Sequence, residues 1–473
     1  MLFNSLVFIA FMAVVLAVYP RLRFRGQNVF LLIASYYFYG SWDWRFTSLL
    51  ALSTVIDFVA GKRIHTSADP AVRKRFLLLS VAANLGILGF FKYYNFFADS
   101  LAALLGGMGF DPHLPILRIV LPVGISFYTF QTMSYTIDIY RRRMPATRNF
   151  IDFALYVSFF PQLVAGPIER ARVLLPQIAA PRAVTRPMVL SGINLILMGY
   201  FKKVAIADTL ASLVEQMFSN PEPHSSGELL AGVYAFAFQV YGDFSGYTDI
   251  ARGVARLLGF ELMENFNAPY LSRSITEFWR RWHISLSTWL RDYLYIALGG
   301  SRKGEIRTYV NLFLTMLLAG LWHGAAWTFV VFGALHGVYL SVERLWLRGR
   351  ELDISWPSTA LGWVRNLGAI LLTFHLHCIS LILFRSPSLA SAVDYMKGIL
   401  RFDRIWEIGP PVIFAMLVMT LWDAVQIRTG SHTWLSGLPR PMKFALAQMV
   451  IVSILAAAVH HVNTVVPFIY FQF

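Results

Sequence analysis

The chain has 473 residues, 57% of them hydrophobic and only 14% charged, with a formal net charge of +15; ordinary soluble domains carry roughly 25% charged residues. With a mean hydropathy of +0.56, this excludes a soluble globular protein, because so apolar a chain covers its surface only where a bilayer is the solvent. The single cysteine, Cys378, excludes an intrachain disulfide and a cysteine-based metal cluster. The basic excess does not imply nucleic acid, because it falls in short loops between apolar stretches.

A spanning helix needs about 20 mostly apolar residues. Stretches of that kind lie near 1–20, 28–60, 77–97, 116–140, 151–168, 188–219, 228–258, 308–347, 364–384, 411–427 and 443–461. The first has no basic leader and no small-residue cleavage site, so it reads as a span rather than a signal peptide. Arg21, Arg23 and Arg25 follow it, then Lys62, Arg63, Arg73, Lys74 and Arg75, then Arg141, Arg142, Arg143 and Arg148, and later Arg302, Lys303 and Arg307. These clusters mark cytoplasmic loops, whereas 98–115 and 219–229, poor in Lys and Arg, face outward. Some stretches are too long for one crossing and others too short. The expectation is roughly 10 to 12 membrane or re-entrant segments in one membrane domain, 1–473.

Within this order several pieces are not plain spans. Leu121-Pro122-Val123-Gly124 and Phe160-Pro161-Gln162, with Gly166-Pro167, break their helices. At membrane depth such breaks survive where they are buried in protein or line a cavity. Gln239 to Asp249 (QVYGDFSGYTD) carries Tyr241, Asp243 and Asp249; it either hydrogen-bonds a polar substrate or ties helices together. Asp57, Asp138 and Asp423 also stand in apolar settings. Ser272 to Tyr295 spaces Phe278, Trp282, Leu286, Trp289 and Tyr293 three or four apart, with Arg273, Arg280, Arg281 and Arg291 between them. That pattern predicts one amphipathic helix at the membrane interface. It is either an anchor or, with His283, the cytoplasmic mouth for an anionic ligand.

Thr308 to Val342 is a run of 35 residues without Asp, Glu, Lys or Arg, yet it holds His323, beside Trp322 and Gly324, and His336. An imidazole in hydrocarbon must be hydrogen-bonded or face water, so both are functional candidates; each is equally compatible with helix–helix bonding. No phosphate-loop, G-x-S-x-G, D-x-D or H-E-x-x-H pattern is present. The residues leave metal-free, histidine-centred chemistry, or transport.

These motifs resemble the membrane-bound O-acyltransferase family, in its bacterial alginate O-acetyltransferase branch. The resemblance rests on SYYFYGSWDW at 35–44, LPVGISFYTFQTMSYTIDIYR at 121–141, SFFPQLVAGPIER at 158–170, YGDFSGYTDIARG at 241–253, the run 265–295, LWHG at 321–324 and FIYFQF at 468–473. It implies an all-α polytopic fold around a central polar tunnel, with the catalytic core at approximately 115–347. It also implies His323 as catalytic and His283 as its active-site support. The resemblance gives His336 no clear role; from the residues themselves His336, Tyr241, Asp243, Asp249, Trp322 and Gln162 are expected as tunnel or supporting residues, and Arg280, Arg281 and Arg291 as donor-binding ones. No cofactor is bound; acetyl-CoA is the donor substrate. The implied setting is a bacterial inner membrane, with a periplasmic acetyltransferase or acceptor protein and a polysaccharide-synthesis complex as partners. The competing expectations are D-alanyl transfer to teichoic acid from a carrier-protein thioester, and a transporter that makes no bonds.

Overall fold

A computed structural model describes residues 1–110, 115, 117, 119–164, 166–347, 359–460 and 468–469. The ends of the expected stretches 98–115 and 443–461, and the last four residues of the 468–473 motif, lie wholly or partly outside them. Among the described residues every regular element is helical. This is what lipid demands of a chain whose backbone groups must bond within each segment. Six helical stretches there are long and apolar enough to cross a membrane: Pro70–Gly107, Arg186–Ser219, Trp327–Leu347, Ala360–Arg385, Pro410–Thr429 and Arg440–Val459. Their outer faces carry exposed leucines such as Leu367, Leu421 and Leu455, which only lipid can cover. The protein crosses the membrane several times. Of the remaining apolar stretches, 28–60 is divided between two helices and 308–347 folds as a hairpin.

The chain forms two compact units, Met1–Gly192 with Ala251–Met263, and Ile193–Ile250 with Glu264–Phe473. The first contains α1 (Leu6–Val18), α2 (Phe24–Gly40), α3 (Thr47–Thr66), α4 (Pro70–Leu88), α5 (Tyr94–Gly107), α6 (Ile125–Tyr140), α7 (Phe150–Ser158), α8 (Phe160–Leu163) and α9 (Ala171–Ala179). Its buried aspartate Asp57, on α3, accepts from Ser80 and from Asn84 Nδ2 (2.8 Å) on α4. Asn84 Oδ1 in turn takes the hydroxyl of Thr132 on α6 at 3.3 Å. Asp57 is thus a helix tie. Both proline breaks occur where the sequence places them. Gly124 enters α6 with a left-handed φ of 75°, and a Cβ there would lie 2.5 Å from the Leu163 carbonyl oxygen. Only glycine lets the two broken ends meet.

The second unit starts within α10 (Arg186–Tyr200), which continues through a π-helical turn, Phe201–Asp208, into α11 (Thr209–Ser219). Then come α12 (Ser226–Leu257), α13 (Ile275–Arg281), α14 (Ile284–Trp289), α15 (Glu305–His323), α16 (Trp327–Leu347), α17 (Ala360–Arg385), α18 (Leu389–Ile399), α19 (Pro410–Thr429) and α20 (Arg440–His460). Gly199 and Gly246 lie against one another: a Cβ on either would come within 2.7 Å of the other's carbonyl oxygen. That close approach brings the π-turn lysines to the aspartates of α12.

Candidate active site

The segment 272–295 is not the single helix its periodicity predicts. It is α13, α14 and a π-helical turn, Leu290–Tyr295, with the break at His283. The aromatic stripe predicted for the headgroup level packs inside the unit instead: Phe278, Trp282, Leu286, Trp289 and Tyr293 are all buried. Ser274 caps α13 through the Glu277 N–H (3.1 Å), in the Ser-x-x-Glu pattern of a helix start. Glu343 of α16 accepts the Ile275 N–H at 2.7 Å. Burial alone would raise Glu277, but the Arg273 N–H and the guanidiniums of Arg273 and Arg281 outweigh it and hold its carboxyl low.

His283 has φ 42°, a left-handed conformation rare for a residue with a side chain. Asn265 holds it there. Its carbonyl accepts the Ile284 N–H at 2.9 Å, and its Oδ1 accepts the Ser285 N–H at 3.0 Å. A backbone N–H can only donate, so the amide oxygen is the atom facing it, and that oxygen also lies 3.2 Å from His283 Nδ1. Nδ1 therefore carries the proton and Nε2 the lone pair. Burial holds this imidazole far below its ordinary pKa, at about 3, so it is neutral at physiological pH.

His323 closes α15 and His336 lies in α16, and each sits in the same frame: Gly320-Leu-Trp-His323-Gly324 and Gly333-Ala-Leu-His336-Gly337. Small residues four apart let helix backbones touch. A Cβ on Gly320 would come 2.8 Å from the Gly333 Cα, and one on Gly324 would strike the Phe329 ring. The two histidines differ in what they meet. Trp279 Nε1–H, a donor only, points to His336 Nδ1 at 3.3 Å, so Nε2 is protonated and donates to Ser380 Oγ at 2.9 Å. Both nitrogens of His336 are thereby occupied by protein, which makes it a tie between α13, α16 and α17.

His323 is buried among rings: Trp322 (5.1 Å between centroids), Phe384 (5.4 Å) and Phe332 (5.8 Å). Trp322 also lies 5.9 Å from His283. Two histidines thus share one indole, which brings the two residues singled out by sequence into one place.

The surrounding polar residues act as ties. Tyr241 donates to Asp423 (2.8 Å), Asp249 pairs with Lys202 (2.7 Å), and Lys203 bridges Asp208 (2.8 Å) and Asp243 (2.7 Å). Asp243 also accepts the Ile469 N–H at 2.6 Å. Within Gln239–Asp249, Tyr241, Asp243 and Asp249 each bond to a residue of another element.

A family model described as membrane-bound O-acyltransferase matches residues 138–386. "Probable alginate O-acetylase AlgI" of Pseudomonas aeruginosa is 45% identical over 411 residues, covering 86% of this chain and 76% of that one. The chain belongs to the membrane-bound O-acyltransferase family. The acyltransferase is also 35% identical over 438 residues to a "Peptidoglycan O-acetyltransferase" of Helicobacter pylori, covering 86% of this chain and 81% of that one. A "Teichoic acid D-alanyltransferase" of Bacillus subtilis is 29% identical over 288 residues, 58% of this chain and 71% of that one. The matched residues of the acyltransferase include His283, Trp322, His323 and His336.

The remaining candidates divide. Arg281 is committed to Glu277 (2.8 Å) and to the Asn267 carbonyl (3.2 Å), whereas Arg280 and Arg291 are exposed. Gln162 belongs to the first unit, where its amide donates to the Tyr156 carbonyl at 2.7 Å. Sequence reasoning passes over Lys202, Lys203, Asn265 and His377. His377 carried a usable signal, since it too stands in an apolar run without charged residues.

Proposed function

We propose that this O-acyltransferase moves acetyl groups from a cytoplasmic thioester, acetyl-CoA, to a hydroxyl destined for an extracellular polysaccharide of the alginate type. Support comes from the identity to alginate O-acetylases, 45% against 29% for the D-alanyl enzyme. The single observation that carries the chemistry is the shared Trp322 between His283 and His323. We assign the reaction to approximately 115–347 and place the protein in a bacterial inner membrane. A polar tunnel leads to His323, and the partners are a periplasmic acceptor protein and the polysaccharide-synthesis complex.

In this reading a neutral His323 accepts the proton of the acceptor hydroxyl as its oxygen attacks the thioester carbonyl. Such general-base help is typically worth about 10²–10⁴-fold. The tetrahedral intermediate collapses with cleavage of the C–S bond. The leaving thiolate takes the proton from the imidazolium, so the products are an acetyl ester and a free thiol. His283, its Nδ1–H directed to Asn265 Oδ1, keeps Nε2 as an acceptor and orients the acceptor through a second O–H or N–H, the reacting hydroxyl's one proton going to His323. Arg280 and Arg291 meet the phosphates of the donor at the aqueous side, as guanidinium forks suit phosphate oxygens.

His323→Ala should abolish polysaccharide acetylation with normal abundance in the membrane. Acetylation retained in that variant would end the assignment of His323.

A further inference from the structure

His377, on α17, is 2% exposed. Its ring lies among Phe278 (4.3 Å between centroids), Trp282 (5.6 Å), Tyr270 (5.7 Å) and His336 (6.1 Å). Neither of its ring nitrogens meets a hydrogen-bond partner among the described residues. A neutral imidazole has one N–H and one lone pair to satisfy, and a buried polar group left unsatisfied destabilises the fold. An apolar side chain would fill this cage without that cost.

The cage is also held rigid. Trp279 donates to His336 Nδ1 (3.3 Å), His336 Nε2–H donates to Ser380 Oγ (2.9 Å), and the Ser380 hydroxyl donates to the His377 carbonyl (2.6 Å). The spent histidine thus fixes the backbone that carries the open one. Trp282, a wall of the cage, precedes His283 in the chain. The cage therefore borders the candidate site.

We propose that His377 is a binding residue for the acyl donor: its N–H donates to a carbonyl oxygen of the thioester-bearing arm, and the surrounding rings cover the methylenes. A glycan acceptor, dense in hydroxyls, would need several polar partners. A single imidazole on an aromatic wall matches an alkyl chain punctuated by carbonyl groups. This inference rests on the thioester-donor reading above.

The test uses the full-length protein in detergent with its periplasmic acceptor protein and an alginate oligosaccharide as the hydroxyl source, with acetyl-CoA consumption and thermal unfolding followed side by side. Wild type that consumes no acetyl-CoA sinks the donor reading itself. Given an active wild type, H377F should raise the donor KM on the order of tenfold while its melting temperature stays level or rises. An unchanged KM overturns the proposal, and so does a lowered melting temperature with a native KM, the mark of a ring that only braces the fold through water. If H377F does not accumulate, H377M decides, since it fills the cage without an N–H: a folded H377M with a native donor KM equally overturns it.

Discussion

Asn265→Leu keeps the shape of the side chain and removes its oxygen. In the native protein that oxygen accepts two buried donors, the Ser285 N–H at 3.0 Å and His283 Nδ1–H at 3.2 Å. The Ser285 N–H left unsatisfied costs about 1–3 kcal/mol, while His283 Nδ1 retains the Ser285 hydroxyl at 3.3 Å. The second consequence is chemical. Without Asn265 Oδ1 only Ser285 Oγ faces Nδ1, at 3.3 Å, and a hydroxyl donates as readily as it accepts, so the lone pair at Nε2 is no longer guaranteed. Where an acid–base or orienting group loses its protonation pattern, losses of about 10²-fold or more are expected. Asn265→Asp should be milder, because a carboxylate accepts both donors. Its charge would also raise a pKa that burial holds at about 3, bringing an acid limb into the pH–rate profile. The assay is acetyl-transfer rate against thermal unfolding for wild type and both variants. If Asn265→Leu unfolds earlier yet turns over at the native rate, the tautomer of His283 is irrelevant to the reaction. If its melting temperature is native, the accounting of buried donors is wrong.

Lys203 is fully buried and bridges Asp208 and Asp243. Lys203→Met should destabilise by about 3–5 kcal/mol, because it leaves carboxylates buried without their cation. Adding Asp243→Asn should recover part of the loss in a double-mutant cycle of melting temperatures; no recovery would refute the pairing. Burial raises Glu169 to about 7 against the opposing Met263 N–H, Arg170 and Arg252. A carboxyl raised in the fold binds its proton more tightly there, so its contribution is complete below pH 4.5 and lost as pH rises through 7. Glu169→Gln, which keeps an acceptor for the Met263 N–H (2.6 Å), should remove that decline. Parallel melting curves for the two proteins from pH 5 to 8 would contradict it. His283 runs the other way: its lowered pKa makes acidification below 6.5 destabilising, down to about pH 3.

Sequence alone determined the membrane class, the helical architecture and the proline breaks, because hydropathy, helix length and the missing N–H of proline act locally. It also singled out His323 and His283, which the fold brings to the same indole, Trp322. It misjudged 272–295, since apolar spacing runs unbroken through Trp282 and His283. The break there is enforced from Asn265, eighteen residues upstream. Nor does spacing reveal that Asp243 and Asp249 are neutralised by Lys203 and Lys202, some forty residues earlier. Only tertiary structure shows that His336 spends both nitrogens on Trp279 and Ser380 while His377 meets no partner among the described residues, two imidazoles in equally apolar runs. The reason is that hydropathy along a chain records which groups must leave water. Whether a buried group then finds a partner depends on donors and acceptors that helices from distant parts of the chain bring to it.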